Sequence, residues 1–103
     1  MKPARLRPSA HDDLRRQIHH YAQAGGPALA ERVFDRAIGA LRAAERDPER
    51  GSSLLGDRCD LPGVQAWPVD PFSEHWYYVE RADHLDVVRL LGRSPDLDAV
   101  LGA

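Results

Sequence analysis

Residues 74–91 read "EHWYYVERADHLDVVRLL", and both alternating rows of this stretch carry large apolar side chains. Successive side chains of a strand point to opposite faces. Simple alternation makes one row of His75, Tyr77, Val79, Leu85, Val87, Arg89 and Leu91. The other row is Glu74, Trp76, Tyr78, Glu80, Asp86, Val88 and Leu90. A hairpin that is apolar on both faces needs cover on both sides, a strong twist, or a partner. Arg89 adds a second demand, because a charge inside an apolar strand is costly unless something meets it. Either its head reaches solvent along an aliphatic stem, or it pairs with an acid such as Asp35.

What can cover the hairpin is read from the first half of the chain. Ala4 to Pro8 is a short strand that Pro8 ends. Ser9 has the form of a helix N-cap, with Asp12 three residues on. Leu14, Ile18 and Tyr21 then repeat at helical spacing until Gly25-Gly26. Pro27 suits the first turn of a second helix. Val33, Phe34, Ala37, Ile38, Leu41 and Ala44 form its apolar stripe. Two such helices joined by a glycine turn make a helical hairpin. Residues 46–63 are rich in Pro, Gly and Ser and read as irregular, with Leu54 and Leu55 pinning them to the core. Three strand runs follow, 64–70, 75–80 and 85–91. Pro68 marks the first as an edge strand or a bulge, and Arg81-Ala82-Asp83 is a three-residue hairpin loop.

The expected fold is α+β and two-layered: an N-terminal strand and a helical hairpin packed on a mostly antiparallel sheet of about four strands. Residues 1–103 are expected to form one domain. The helices can cover only one sheet face. The other is expected to hold an aromatic patch, with Trp67, Trp76 and Tyr78 as partner-facing anchors.

Composition narrows the functional classes. The hydrophobic fraction of 43% fits a globular chain. No apolar run approaches the length of a membrane span, and Met1-Lys2-Pro3 leads directly into patterned sequence rather than a secretory leader. The lone Cys59 fits an unpaired thiol in a reducing cytoplasm, which is the expected location. The net charge of −2 is uneven. Lys2, Arg5, Arg7, Arg15 and Arg16 outweigh Asp12 and Asp13 in the first twenty residues, whereas acids dominate the last third. A nucleic-acid binder usually carries a basic excess, which this chain lacks in bulk.

No catalytic or metal motif stands out. His19 and His20 are neighbours on a helix, too divergent to share one ion, and Arg15 and Arg16 lie one turn away. His11 is two turns from His19. No metal, no cofactor, no phosphate loop and no nucleophile elbow are expected. Asp12-Asp13 reads as negative charge near a helix N-terminus. Arg89, Arg93, His75 and Tyr78 are types that a phosphodiester-cleaving site uses, but they are too common to single one out.

The segments in order resemble a known family. "LRPSAHDDL" (6–14), "AERVFDRAIGALRAAERDPERG" (30–51), "LPGVQAWPVDPF" (61–72) and "LDVVRLLGRSPDL" (85–97) are similar to ParE toxins of the RelE/ParE superfamily. Arg89 falls at the family's Arg position. The resemblance implies a toxin of a type II toxin–antitoxin module, directed at DNA gyrase by binding rather than by catalysis. A ParD-like ribbon-helix-helix antitoxin would neutralise it, and operator DNA would be met only through that antitoxin. It also implies target contacts at Arg89, Arg93 and Gln65. Antitoxin contacts are expected at Trp67, Trp76, Tyr78, Arg5, Arg15 and Arg16. The alternatives are a RelE-like ribosome-dependent mRNA endonuclease, or a non-toxic member that keeps antitoxin binding. This chain departs from the family pattern at three polar positions: Gln65 stands where Arg is usual, Gly92 where His is usual, and Pro95 where Arg commonly precedes Asp96-Leu97. These changes lower the expected toxicity but leave the fold and the antitoxin pairing.

Overall fold

The computed structural model describes residues 1–58 and 60–92. Strand β1 (Ala4–Leu6) leads into helix α1 (Pro8–Gly25) and helix α2 (Pro27–Arg46). A 3-10 turn (Pro48–Arg50) and a short helix α3 (Leu54–Arg58) follow, then strands β2 (Val64–Pro68), β3 (His75–Glu80) and β4 (Leu85–Leu91). The sheet is mixed, with order β1-β4-β3-β2: β1 runs parallel to β4, and the other pairs are antiparallel. The expected α+β arrangement of a helical hairpin on a four-stranded sheet is the one observed.

Pro8 occupies the first turn of α1, where its missing N–H costs nothing. The N-cap is therefore Arg7, not Ser9, and it makes no side-chain cap. Ser9, one residue inside, instead donates its hydroxyl to Val88 O at 3.1 Å. Between the helices Gly26 takes φ 86°, a left-handed value that glycine adopts without strain. Its N–H closes α1 on Ala22 O, while its carbonyl opens α2 by accepting from Ala30.

The core lies between helices and sheet. Ala10 and Leu14 of α1 and Ala37, Ala40, Leu41 and Ala44 of α2 pack with Trp76, Tyr78, Leu85, Val87 and Leu90. Ile18 and Ile38 are partly buried against this cluster. Phe34, expected on the buried stripe, is 43% exposed, and Leu54 is exposed rather than pinned to the core.

The two-row reading of the hairpin needs correction. β3 and β4 pair Glu80 with Leu85 and Tyr78 with Val87, then shift so that Tyr77 pairs with Arg89 and Trp76 with Leu90. The connecting loop is four residues, closed by Arg81 N–H on His84 O. Val88 is the extra residue of a bulge. A bulge re-aims every side chain beyond it. Leu85 and Val87 thus join Trp76 and Tyr78 on the helix-covered face and Asp86 moves to the other, while Leu90 stays with Trp76, and Arg89 and Leu91 stay with Tyr77, as alternation gives. That second face holds a small cluster of Ala66 and Tyr77 with Leu61, Val64 and Leu91 packed against it.

The sheet edges are closed by side chains and by a proline. β1 pairs β4 only as far as Val87. Beyond it, Asp13 accepts the Leu90 N–H at 3.0 Å. On the outer side of β1, Glu45 accepts the Ala4 N–H at 2.6 Å. On β2, Ala66 exchanges both backbone hydrogen bonds with Ser52, and Pro68 offers no N–H. These devices keep the edges from pairing with other chains.

Candidate functional site

Arg89 finds its partner in Asp13, not Asp35. Its Nε donates to Asp13 Oδ2 at 2.6 Å and one Nη to Oδ1 at 2.9 Å, a bidentate fork. Arg16, one turn on along α1, also bonds Asp13 Oδ1. With the Leu90 N–H, the Asp13 carboxylate serves four hydrogen bonds from α1 and β4. The Asp13 hydrogen bonds raise the Arg89 guanidinium above its already high ordinary value, against the opposing effect of burial. Arg89 is 22% exposed on its side chain.

Gln65 is also engaged internally. Its amide donates to Pro48 O at 3.0 Å and Gly51 O at 3.3 Å. Tyr78 donates to the same Pro48 carbonyl at 2.7 Å, and burial pushes its phenol up to about 12. Gln65 and Tyr78 together tie the 3-10 turn to the sheet. Gly51 fits there because a Cβ would run into the Tyr78 hydroxyl.

The aromatic patch expected of Trp67, Trp76 and Tyr78 does not form. Trp76 is wholly buried and donates its indole N–H to Ala37 O at 2.8 Å, and Tyr78 is buried too. The physical reason is the register: both lie on the face that the helices cover. Trp67 is only partly buried and lines a shallow groove with Asp35, Arg36, Gly39, Ala40, Pro68 and Asp70. Arg15 and Arg16 stand on the outer face of α1 with Asp12, His19 and His20. Arg5 is exposed on β1. On the adjoining strand Asp86 is held below the usual carboxylate range, first by the Arg7 hydrogen bonds at 2.9 and 2.8 Å and then by Arg81.

Arg93, Pro95, Asp96, Leu97, Cys59 and the side chain of Leu55 lie outside what the structure describes. Among the described residues no three His, Cys, Asp or Glu side chains converge as metal ligands, and no helix is long and apolar enough to cross a membrane.

Among the described residues, three buried acids escaped the sequence reading: Asp13, Glu45 and Glu74. Their signal was positional. Asp13 sits three residues after Ala10 and beside Leu14, and Glu45 lies four after Leu41. Both fall on apolar stripes, where a charge must be met from inside. Burial works against the Glu45 carboxylate, yet the Ala4 N–H and Arg42 hold it below its ordinary range.

Against known proteins, no curated sequence matches the chain. Among solved structures, one described as "Chromosomal ParDE TA system from P. aeruginosa" is similar, with TM-score 0.76 and 16% identity over 91% of this chain and 98% of that one. A likeness at that identity supports the fold. A family model described as the ParE toxin of type II toxin–antitoxin system, parDE, matches residues 4–97. That match spans both helices and the whole sheet, so the chain belongs to the ParE toxin family of type II toxin–antitoxin systems.

Proposed function

We propose that residues 1–103 act as one cytoplasmic toxin domain that inhibits DNA gyrase by binding, and that a ParD-like ribbon-helix-helix antitoxin neutralises it. Operator DNA is then met only through the antitoxin. The observation that carries this reading is the family match over residues 4–97, on a fold shared with a structure from a ParDE system.

The geometry refines which groups are available. Trp76 and Tyr78 are withdrawn into the core, so the antitoxin is left Trp67 in its groove and the exposed Arg5, Arg15 and Arg16. Acidic antitoxin residues complement those arginines, and an apolar side chain suits the groove beside Trp67. Toward the target, Arg89 offers the exposed part of its clamped head, and Gln65 acts mainly by shaping the 48–51 turn.

Induction without antitoxin tests the reading. An SOS response with intact mRNA supports gyrase as target. Cleaved mRNA replaces the proposal with a RelE-like endonuclease. Unaffected growth, with antitoxin binding retained, identifies a non-toxic member.

A further inference from the structure

Trp67 and Trp76 pair across β2 and β3 and share the helix-covered face, yet their surroundings differ. Trp76 bonds α2 directly, through Ala37 O, and is wholly buried. Trp67 belongs to the outermost strand and is only partly buried. The sheet therefore reaches past α2, and the step between them is a groove of about 420 Å³. Gly39 keeps its helical side open, since a Cβ built there meets nothing within 4 Å. Ligand sites run from about 300 to 1,000 Å³ and enclose most of what they bind. A shallow groove at the small end of that range suits one long side chain of a larger partner.

The charge of the groove says which side chain. Among the described residues that line it, Asp35 and Asp70 bring two carboxylates against the one guanidinium of Arg36. Asp35 stands on α2 and Asp70 in the turn after β2, so the acids come from two elements. All three charges are exposed. An exposed ion pair contributes little by itself. The indole adds to it, because its face attracts a cation and accepts a flat guanidinium in stacking contact. A carboxylate receives the same guanidinium as a fork. An acidic excess and an indole in one groove therefore favour arginine over an acidic or a purely apolar side chain.

We propose that this groove receives an arginine side chain of the antitoxin, with its stem along Trp67 and its head at Asp35 and Asp70. The proposal rests on the antitoxin reading above and deepens it: the apolar part that meets Trp67 is the stem of a cationic residue. The charge sense is opposite to that of α1, where toxin arginines meet antitoxin acids. Two contacts of opposite sign fix the direction in which the antitoxin segment lies, because reversing it sets like charges together.

The acidic character of the groove is tested without any partner. Trp76 is wholly buried, so collisional quenching of fluorescence reports Trp67. At constant, low ionic strength, the ratio of caesium to iodide quenching should fall at least twofold from the parent to Asp35→Asn/Asp70→Asn. The control Glu31→Gln/Glu49→Gln, with the same net charge, should keep the parent ratio. An unchanged ratio, or an equal fall in both, overturns the cation site. Titration with the antitoxin encoded beside the toxin gene identifies the occupant. Asp35→Asn/Asp70→Asn and the groove-filling Gly39→Leu should each bind at least tenfold more weakly, and Arg36→Gln should bind as tightly as the parent or more so. Weakening by Arg36→Gln with no effect of the two aspartates overturns arginine in favour of an acidic side chain. Weakening by Gly39→Leu alone overturns it in favour of an apolar one. Unchanged binding by Gly39→Leu shows that the antitoxin leaves the groove empty and overturns the proposal. Failure of the parent to bind instead overturns the antitoxin reading, and the quenching ratio, which needs no antitoxin, keeps the two failures apart.

Discussion

At Asp13 one carboxylate closes a strand edge, clamps Arg89 and holds Arg16. Its removal strands a partly buried guanidinium and an unpaired backbone N–H. Asp13→Ala should cost about 3–5 kcal/mol in urea unfolding. Arg89→Met should cost clearly less, because Asp13 keeps Arg16 and the Leu90 N–H. A larger loss for Arg89→Met than for Asp13→Ala would contradict this account of the clamp. Glu45 carries a pH signature. Its folded carboxyl is held below the ordinary value of 4.5, so its stabilisation is fully present above that pH and is lost as pH falls through the folded value. The stability gap between parent and Glu45→Gln should therefore be constant near neutrality and shrink below about pH 4.5, as read from acid-series denaturation.

At the scale of elements, two glycines with opposite roles test the packing. Gly51 lies where the 3-10 turn meets β2 and β3, and any Cβ would drive into Tyr78. Gly51→Ala should destabilise by about 1–3 kcal/mol through overpacking. Gly39, in the middle of α2, would place a Cβ with nothing within 4 Å. Gly39→Ala should stabilise by about 0.5–1 kcal/mol, since it removes backbone freedom from the unfolded chain without a clash. Parallel thermal melts decide both signs. The order of the strands and of the two long helices was legible in the sequence, because helical periodicity and the glycine turn are local signals, whereas the 3-10 turn and α3 fall in a stretch that reads as irregular. The bulge at Val88 was not legible. It is set by how β4 meets β3 and α1, and it moved Leu85, Asp86 and Val87 to the opposite faces from those that simple alternation gives, while Arg89, Leu90 and Leu91 kept theirs.

For the whole molecule, the two tryptophans separate stability from recognition. Trp76 spans the interface between sheet and α2, so Trp76→Ala should cost about 3–5 kcal/mol of folding stability. Trp67 lies at the rim. Trp67→Ala should leave a folded protein that binds the antitoxin more weakly by about 2 kcal/mol or more, measured by calorimetry. Normal binding by the Trp67 variant would move the interface away from the α2–β2 groove. Restoring the family's polar groups, with Gln65→Arg and Gly92→His, should raise toxicity on induction. Strong toxicity of the unaltered chain would show that this member does not depend on those two positions.

The sequence by itself determined the layer architecture, the helical hairpin and the family, since these rest on periodicity, turn chemistry and ordered segments along the chain. It also flagged Arg89 as a charge needing a partner. Only the tertiary structure named that partner, buried Trp76 and Tyr78, and turned Gln65 inward. Asp13 and Arg89 are 76 residues apart in the chain. Two charges on apolar stripes announce a need, but only the register of β4 against α1 brings the two together.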